Sequence, residues 1–142
     1  MIEKRERGAY RRFRSIPTRW ADNDIYGHVN NAAYYGFFDT AVNSFLIEEA
    51  GLDIHEGDII GLVVETGCNY FAALAYPETV EAGIGVARIG NSSVVYHIGL
   101  FREGETQPAA QGHFVHVYVD RTDRRPAVLP EGMRTALEAI HA

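Results

Sequence analysis

With 142 residues, 46% of them apolar and 23% charged, the chain can bury a core of its own and is expected to form one domain spanning residues 1–142. Its single cysteine, Cys68, excludes an internal disulfide, and Cys and His residues nowhere cluster at metal-ligand spacing. A formal net charge of −6 and the lack of an apolar run after MIEKRERGAYRRFR argue against a nucleic-acid binder, a signal peptide or a membrane anchor; a cytoplasmic protein is expected.

Residues 1–10 read as a flexible, solvated tail, and a weak strand follows around Phe13 to Trp20. The loop WADNDIYGHVNN then leads into Asn30–Ala50. There Tyr34, Phe38, Ala41 and Phe45, with Tyr35, Val42 and Leu46, recur at steps of three, four and seven, the spacing of a helix with a wide apolar face. Gly36, Asp39, Thr40, Asn43 and Ser44 form its polar stripe, Asn30 or Asn31 suits the N-cap, and Gly51 supplies the stop.

Beyond the helix the period falls to two. Ile60, Leu62 and Val64 open a strand that continues through Cys68, Tyr70 and Phe71. Val80, Ala82, Ile84 and Val86 mark the next strand, Val94, Tyr96, Ile98 and Leu100 a third, and Phe114, Val115, Val117 and Val119 a last one. Gly90-Asn91-Ser92 and Glu103-Gly104-Glu105 are turn signals between antiparallel neighbours, and Pro130 to Ile140 reads as a short closing helix. One long helix followed by antiparallel strands gives an α+β domain in which a curved sheet wraps the helix.

Candidate chemistry concentrates in the loop before the helix. Asp22 and Asp24 are carboxylates near a turn hinged at Gly27, a pattern that loop solvation or capping also explains. Position raises Asp24 above that reading. The loop delivers it to the first turn of a helix, where free N–H groups and the positive end of the dipole suit a developing oxyanion. A carboxylate beside such donors fits thioester hydrolysis, attacking the carbonyl itself or deprotonating a water.

The stretch Arg19-Trp20-Ala21-Asp22-Asn23-Asp24-Ile25-Tyr26-Gly27-His28-Val29-Asn30-Asn31, followed by Tyr34, resembles the motif of the 4-hydroxybenzoyl-CoA thioesterase family of hotdog proteins. The later FAALAYPETVEAGIGVARIGNSSVVYHIGLF and HFVHVYVDRTDRRPAVLPE extend the resemblance over nearly the whole chain. It implies a hotdog fold, acyl-CoA thioesterase activity, an active site at a homodimer or homotetramer interface, and no metal or resident cofactor, coenzyme A being part of the substrate. It also implies Asp24 as the catalytic carboxylate and the amide near Asn31 as the carbonyl-binding donor. His28 either takes part in proton transfer or braces the loop. Gly27, Tyr34 and the turn Asn91-Ser92-Ser93 are the expected substrate contacts, the turn because amides and hydroxyls suit a phosphate or pantetheine.

Other readings remain open at this point. Some hotdog subfamilies carry the carboxylate on the helix, which would select Asp39, and Glu65 is a weaker candidate on a strand. A hydratase or dehydratase would lean on His28, and a non-catalytic acyl-CoA binding module would leave Asp24 structural. GIGVARIG lacks dinucleotide-binding spacing and lies in a strand, so its glycines are expected to let something pack closely on the sheet. His113 and His116 should face opposite ways as interface or surface residues, Cys68 should be a small buried hydrophobe, and Arg88, Arg121, Arg124 and Arg125 offer phosphate contacts at turns or strand ends. The acyl group, and the choice between CoA and an acyl carrier protein, are not encoded in any motif.

Overall fold

The computed structural model describes residues 3–141. Strand β1 (Arg12–Pro17) precedes helix α1 (Ala33–Glu49), and β2 (Ile59–Tyr70), β3 (Thr79–Ile89), β4 (Ser93–Arg102), β5 (Ala110–Asp120) and helix α2 (Glu131–Glu138) follow. The five strands form one sheet in the order β1-β3-β4-β5-β2, with every neighbouring pair antiparallel. This is the hotdog arrangement, a sheet wrapped around one long helix.

The period-two residues of β3 and β4 explain the wrap. Val80, Ala82, Ile84, Val86, Val94, Tyr96, Ile98 and Leu100 are all fully buried, in one core with Phe38, Ala41, Val42, Phe45 and Leu46 of α1. Truncating one of these phenylalanines to alanine would cost about 3–5 kcal/mol in lost burial and residual cavity. The helix comes unusually close to the sheet at β5. A Cβ on Gly112 would stand 2.5 Å from the Phe38 ring, so only glycine admits that ring.

Three local expectations change. The helix begins at Ala33, two or three residues after the expected asparagine cap, because Asn30 bonds its own turn: its Oδ1 accepts the Ala32 N–H at 2.9 Å and its carbonyl the Ala33 N–H at 2.9 Å. Within α1, Tyr35 is turned outward and Phe37 is buried in its place. The first strand ends at Pro17, since Trp20–Asp22 coils into a single 3-10 turn.

The segment expected as a solvated tail makes defined contacts from Glu3 onward. Tyr10 is buried on the outer face of the sheet, against Gly83 and Gly99, where an added Cβ would meet its ring at 2.7 Å. Arg7 bonds Glu81 at 2.7 Å and covers the rings of Phe13 and Phe101, and the Arg5 N–H donates to Gln111 Oε1 at 2.8 Å. The basic residues that suggest solvation are thus spent on acids, carbonyls and aromatic faces of the sheet.

Candidate active site

The loop between β1 and α1 is built by its own short-range bonds. Asp22, only 5% exposed, accepts the Arg19 N–H at 2.8 Å and the Arg19 guanidinium at 2.9 Å, so the first carboxylate of the motif is consumed in closing the 3-10 turn. Asn23 then bridges antiparallel to Val29. Between them Asp24 donates its N–H to the His28 carbonyl at 2.8 Å, and the Gly27 N–H returns to the Asp24 carbonyl at 3.1 Å. Gly27 sits at φ 81°, a left-handed conformation that disfavours a side chain.

This closed loop fixes the Asp24 carboxylate. Its Oδ1 accepts the Tyr26 N–H at 2.9 Å and the His28 N–H at 3.4 Å. Oδ2 has no hydrogen-bond partner among the described residues, which leaves one oxygen held and one free.

The facing wall comes from the end of β2 and the chain after it. Phe71 and Ala72 donate their N–H groups to the Ala109 carbonyl at 2.8 and 3.0 Å, while Arg102 of β4 holds the Ala73 carbonyl and Glu78 together. Between the two walls lies an open cavity of about 580 Å³ lined by Asp24, His28, Val29, Asn31, Tyr34 and the run Tyr70 to Ala73. Asn31 shows two different faces there. Its N–H makes no hydrogen bond among the described residues, whereas its carbonyl accepts the Tyr70 hydroxyl at 3.0 Å. Tyr34 and Tyr70 meet edge to face at 4.9 Å, and burial raises the pKa of both phenols, Tyr70 being raised further by Cys68 and Tyr35 beside it. Both are therefore neutral near pH 7.

Residues 18–137 match the family model of the thioesterase-like superfamily. The chain belongs to this superfamily. It is 54% identical to the PA5185 protein of Pseudomonas aeruginosa strain PAO1, whose crystal structure it matches with a TM-score of 0.97 over 99% of this chain and 98% of that one. A 1,4-dihydroxy-2-naphthoyl-CoA thioesterase from Synechocystis, at 19% identity, shares the fold with a TM-score of 0.78 over 88% of this chain and 93% of its own. The Bacillus subtilis protein YsmA is 24% identical over 110 residues, covering 77% of this chain and 73% of YsmA. The match is thus at superfamily level, coarser than the 4-hydroxybenzoyl-CoA branch that the motif resembles.

In this thioesterase-like chain, Asp24, His28, Asn31 and Tyr34 meet at one cavity, while Gly27 shapes the loop from outside it. The turn Asn91-Ser92-Ser93 does not join them. Ser93 pairs with Val117 at one end of β5 and Tyr70 with Ala110 at the other, a separation of roughly 20 Å at the usual strand rise. Asp39 bonds Asn43 at 3.0 Å on the exposed side of α1, and Glu65 meets His113 at 3.0 Å, so neither lines the cavity. Arg121 is taken up by the carbonyls of Gly57 and Ile54.

His116 departs from the expected interface or surface position. It is 2% exposed and lies in a core network in which its Nδ1 is 3.0 Å from the Tyr118 hydroxyl, itself 2.7 Å from that of Tyr96. Cys68 is half-buried, and desolvation pushes its thiol up to about 11, which makes it a poor nucleophile. The cavity residues that motif reasoning missed are Val29 and Tyr70 to Ala73. Their only signal is that the alternation of β2 stops at Tyr70, turning the chain off the sheet beside the helix start. No group of three or more His, Cys, Asp and Glu residues suited to a metal occurs among the described residues, and no described helix is long and apolar enough to cross a membrane.

Proposed function

We propose that this protein hydrolyses acyl-CoA thioesters to a free acid and CoA, in the manner of the 4-hydroxybenzoyl-CoA thioesterase branch. The observation that carries this reading is that Asp24 and Asn31 line one cavity, and that among the described residues Asp24 Oδ2 and the Asn31 N–H have no hydrogen-bond partner. A thioester carbonyl lodged between them presents its carbon to the carboxylate and its oxygen to the amide. Asp24 Oδ2 either adds to the carbon, expels CoA as thiolate and leaves an acyl anhydride that water cleaves, or takes a proton from the water that adds. In both courses the Asn31 N–H, supported by the N-terminal end of the α1 dipole, stabilises the oxyanion. His28 is the one histidine among the residues that line the same cavity.

A homodimer completes the site in this reading. Strand β2 is a sheet edge, and Leu62, Val63 and Val64 on it are exposed. An exposed apolar edge of this length favours pairing with a second copy. Antiparallel pairing of β2 with its twin sets the far end of the partner's sheet beside this protomer's Tyr70, which brings the partner's Asn91-Ser92-Ser93 turn toward the nucleotide end of CoA.

Thiol release from a panel of aromatic and aliphatic acyl-CoAs tests the proposal. Stoichiometric free CoA and free acid are expected. Hydration of an enoyl-CoA without thiol release would assign the site to a hydratase, and tight binding without turnover would make it a binding module.

A further inference from the structure

The two peptide planes flanking Asn31 carry four hydrogen-bonding groups, and three of them are occupied. In the plane joining Asn30 to Asn31, the Asn30 carbonyl accepts the Ala33 N–H at 2.9 Å. In the plane joining Asn31 to Ala32, the Ala32 N–H goes to Asn30 Oδ1 at 2.9 Å and the Asn31 carbonyl accepts the Tyr70 hydroxyl at 3.0 Å. The group left over among the described residues is the N–H of Asn31, a residue that lines the cavity.

Two of these bonds are made within the turn itself and would travel with it if it rotated. The Tyr34 N–H also approaches the Asn31 carbonyl, but at 3.4 Å it is long and comes from the same segment. Among the described residues Tyr70 alone reaches in from another element, 39 residues away at the end of β2, and its ring meets that of Tyr34 in a T-shaped pair. A donor for an oxyanion is effective only when its direction is set before the charge appears.

Resting on the thioesterase reading above, we propose that Tyr70 is a positioning residue for hydrolysis: its hydroxyl clamps the Asn31 carbonyl and so aims the Asn31 N–H at the substrate oxygen. It touches no reacting atom. Its high pKa keeps it a donor across the neutral range.

Tyr70→Phe keeps the ring against Tyr34 and removes the donor. Loss of an oxyanion donor outright costs about 10²–10³ in turnover, so loss of its aim should cost about 10–30-fold in kcat, with KM within about twofold. A second readout separates aim from stability. In the slow Asp24→Asn background, the carbonyl stretch of a bound ¹³C-labelled acyl-CoA should lie below its solution value, and adding Tyr70→Phe should return most of that shift while CoA affinity holds. Full kcat in Tyr70→Phe, or a reduced kcat with an unchanged carbonyl stretch, would overturn the assignment and leave the thioesterase reading intact. If the wild-type protein releases no thiol from any acyl-CoA, that reading fails and this one with it. Should Tyr70→Phe melt well below the wild type, Tyr70→Trp, which refills the space and places its N–H differently, has to show the same loss of carbonyl shift.

Discussion

The N–H of Val29 donates to the carbonyl of Leu74 at 2.7 Å, joining the loop that holds Asp24 to the chain that forms the opposite wall of the cavity. The two walls come from segments more than forty residues apart in sequence, and this bond sets their spacing from the backbone.

Gly27 is where that loop is most easily strained. At φ 81° a β-branched residue incurs about 1–2 kcal/mol, and it would relieve the strain by opening the turn that orients the Asp24 carboxylate. Gly27→Val should therefore lower the melting temperature by a few degrees and reduce kcat about tenfold or more, with CoA affinity little changed. Paired calorimetry and steady-state kinetics check this, and unchanged kcat would mean that the turn tolerates the side chain.

Buried histidine makes stability depend on pH. An imidazole titrates near 6.5 in the unfolded chain, and burial pushes His116 down to about 4. Between those values only the unfolded chain takes up the proton. The stabilisation is complete above pH 6.5 and is lost as pH falls toward 4, to an extent of order 3 kcal/mol. His97, lowered by its own burial and then by Arg5 and His113, acts in the same direction. Melting temperatures measured from pH 7.5 to 4.5 should fall steeply in the wild type and less so in His116→Phe. Equal slopes in the two proteins would place the acid sensitivity elsewhere.

The edge of β2 carries the assembly prediction. Val63 and Val64 are 45% and 59% exposed on a strand whose outer edge has no neighbouring strand among the described residues. Sedimentation at micromolar concentration should give a dimer or a larger even assembly. Val63→Lys with Val64→Lys should shift it to monomer and depress turnover, through like charge at the two-fold contact. A wild-type monomer that turns over acyl-CoA normally would remove the shared site from the scheme.

Which parts of this were legible in the sequence follows from the range of the interactions. The helix and the inward residues of β3 and β4 were legible because periodicity is local and the core is apolar. Gly83 fulfils the expectation that a strand glycine admits close packing, but its occupant, Tyr10, lies in the segment read as a tail, because charge density there masks one aromatic among arginines. The nearness of Asp24 to Asn31 was legible because only seven positions of one loop separate them, while the role of the Asn31 amide came from the resemblance. Tyr70 was not, since its contact with Asn31 spans the chain and depends on where β2 ends. His116 was misplaced for a related reason: its partner is the hydroxyl of Tyr118 on the same strand, and that hydroxyl reaches Tyr96 only once β4 and β5 are paired.

Asp24→Asn addresses the chemistry most directly. The substitution preserves shape and leaves Oδ1 able to accept the Tyr26 and His28 N–H groups, so the loop should keep its fold and acyl-CoA should still bind. What it removes is the negative charge and basicity at Oδ2, and turnover should drop by at least about two to three orders of magnitude. Asp39→Asn is the matched comparison. Asp39 lies on α1, which begins two residues after Asn31, but its carboxylate is held by Asn43 on the exposed side and lines no part of the cavity. Its loss should change kcat less than about threefold if Asp24 is the reacting carboxylate. A site that uses the helix carboxylate from a partner copy would reverse the order, with Asp39→Asn inactive and Asp24→Asn near wild type. Full activity in both variants would shift the proton chemistry to His28, which lines the same cavity, and His28→Gln would then become the inactive variant.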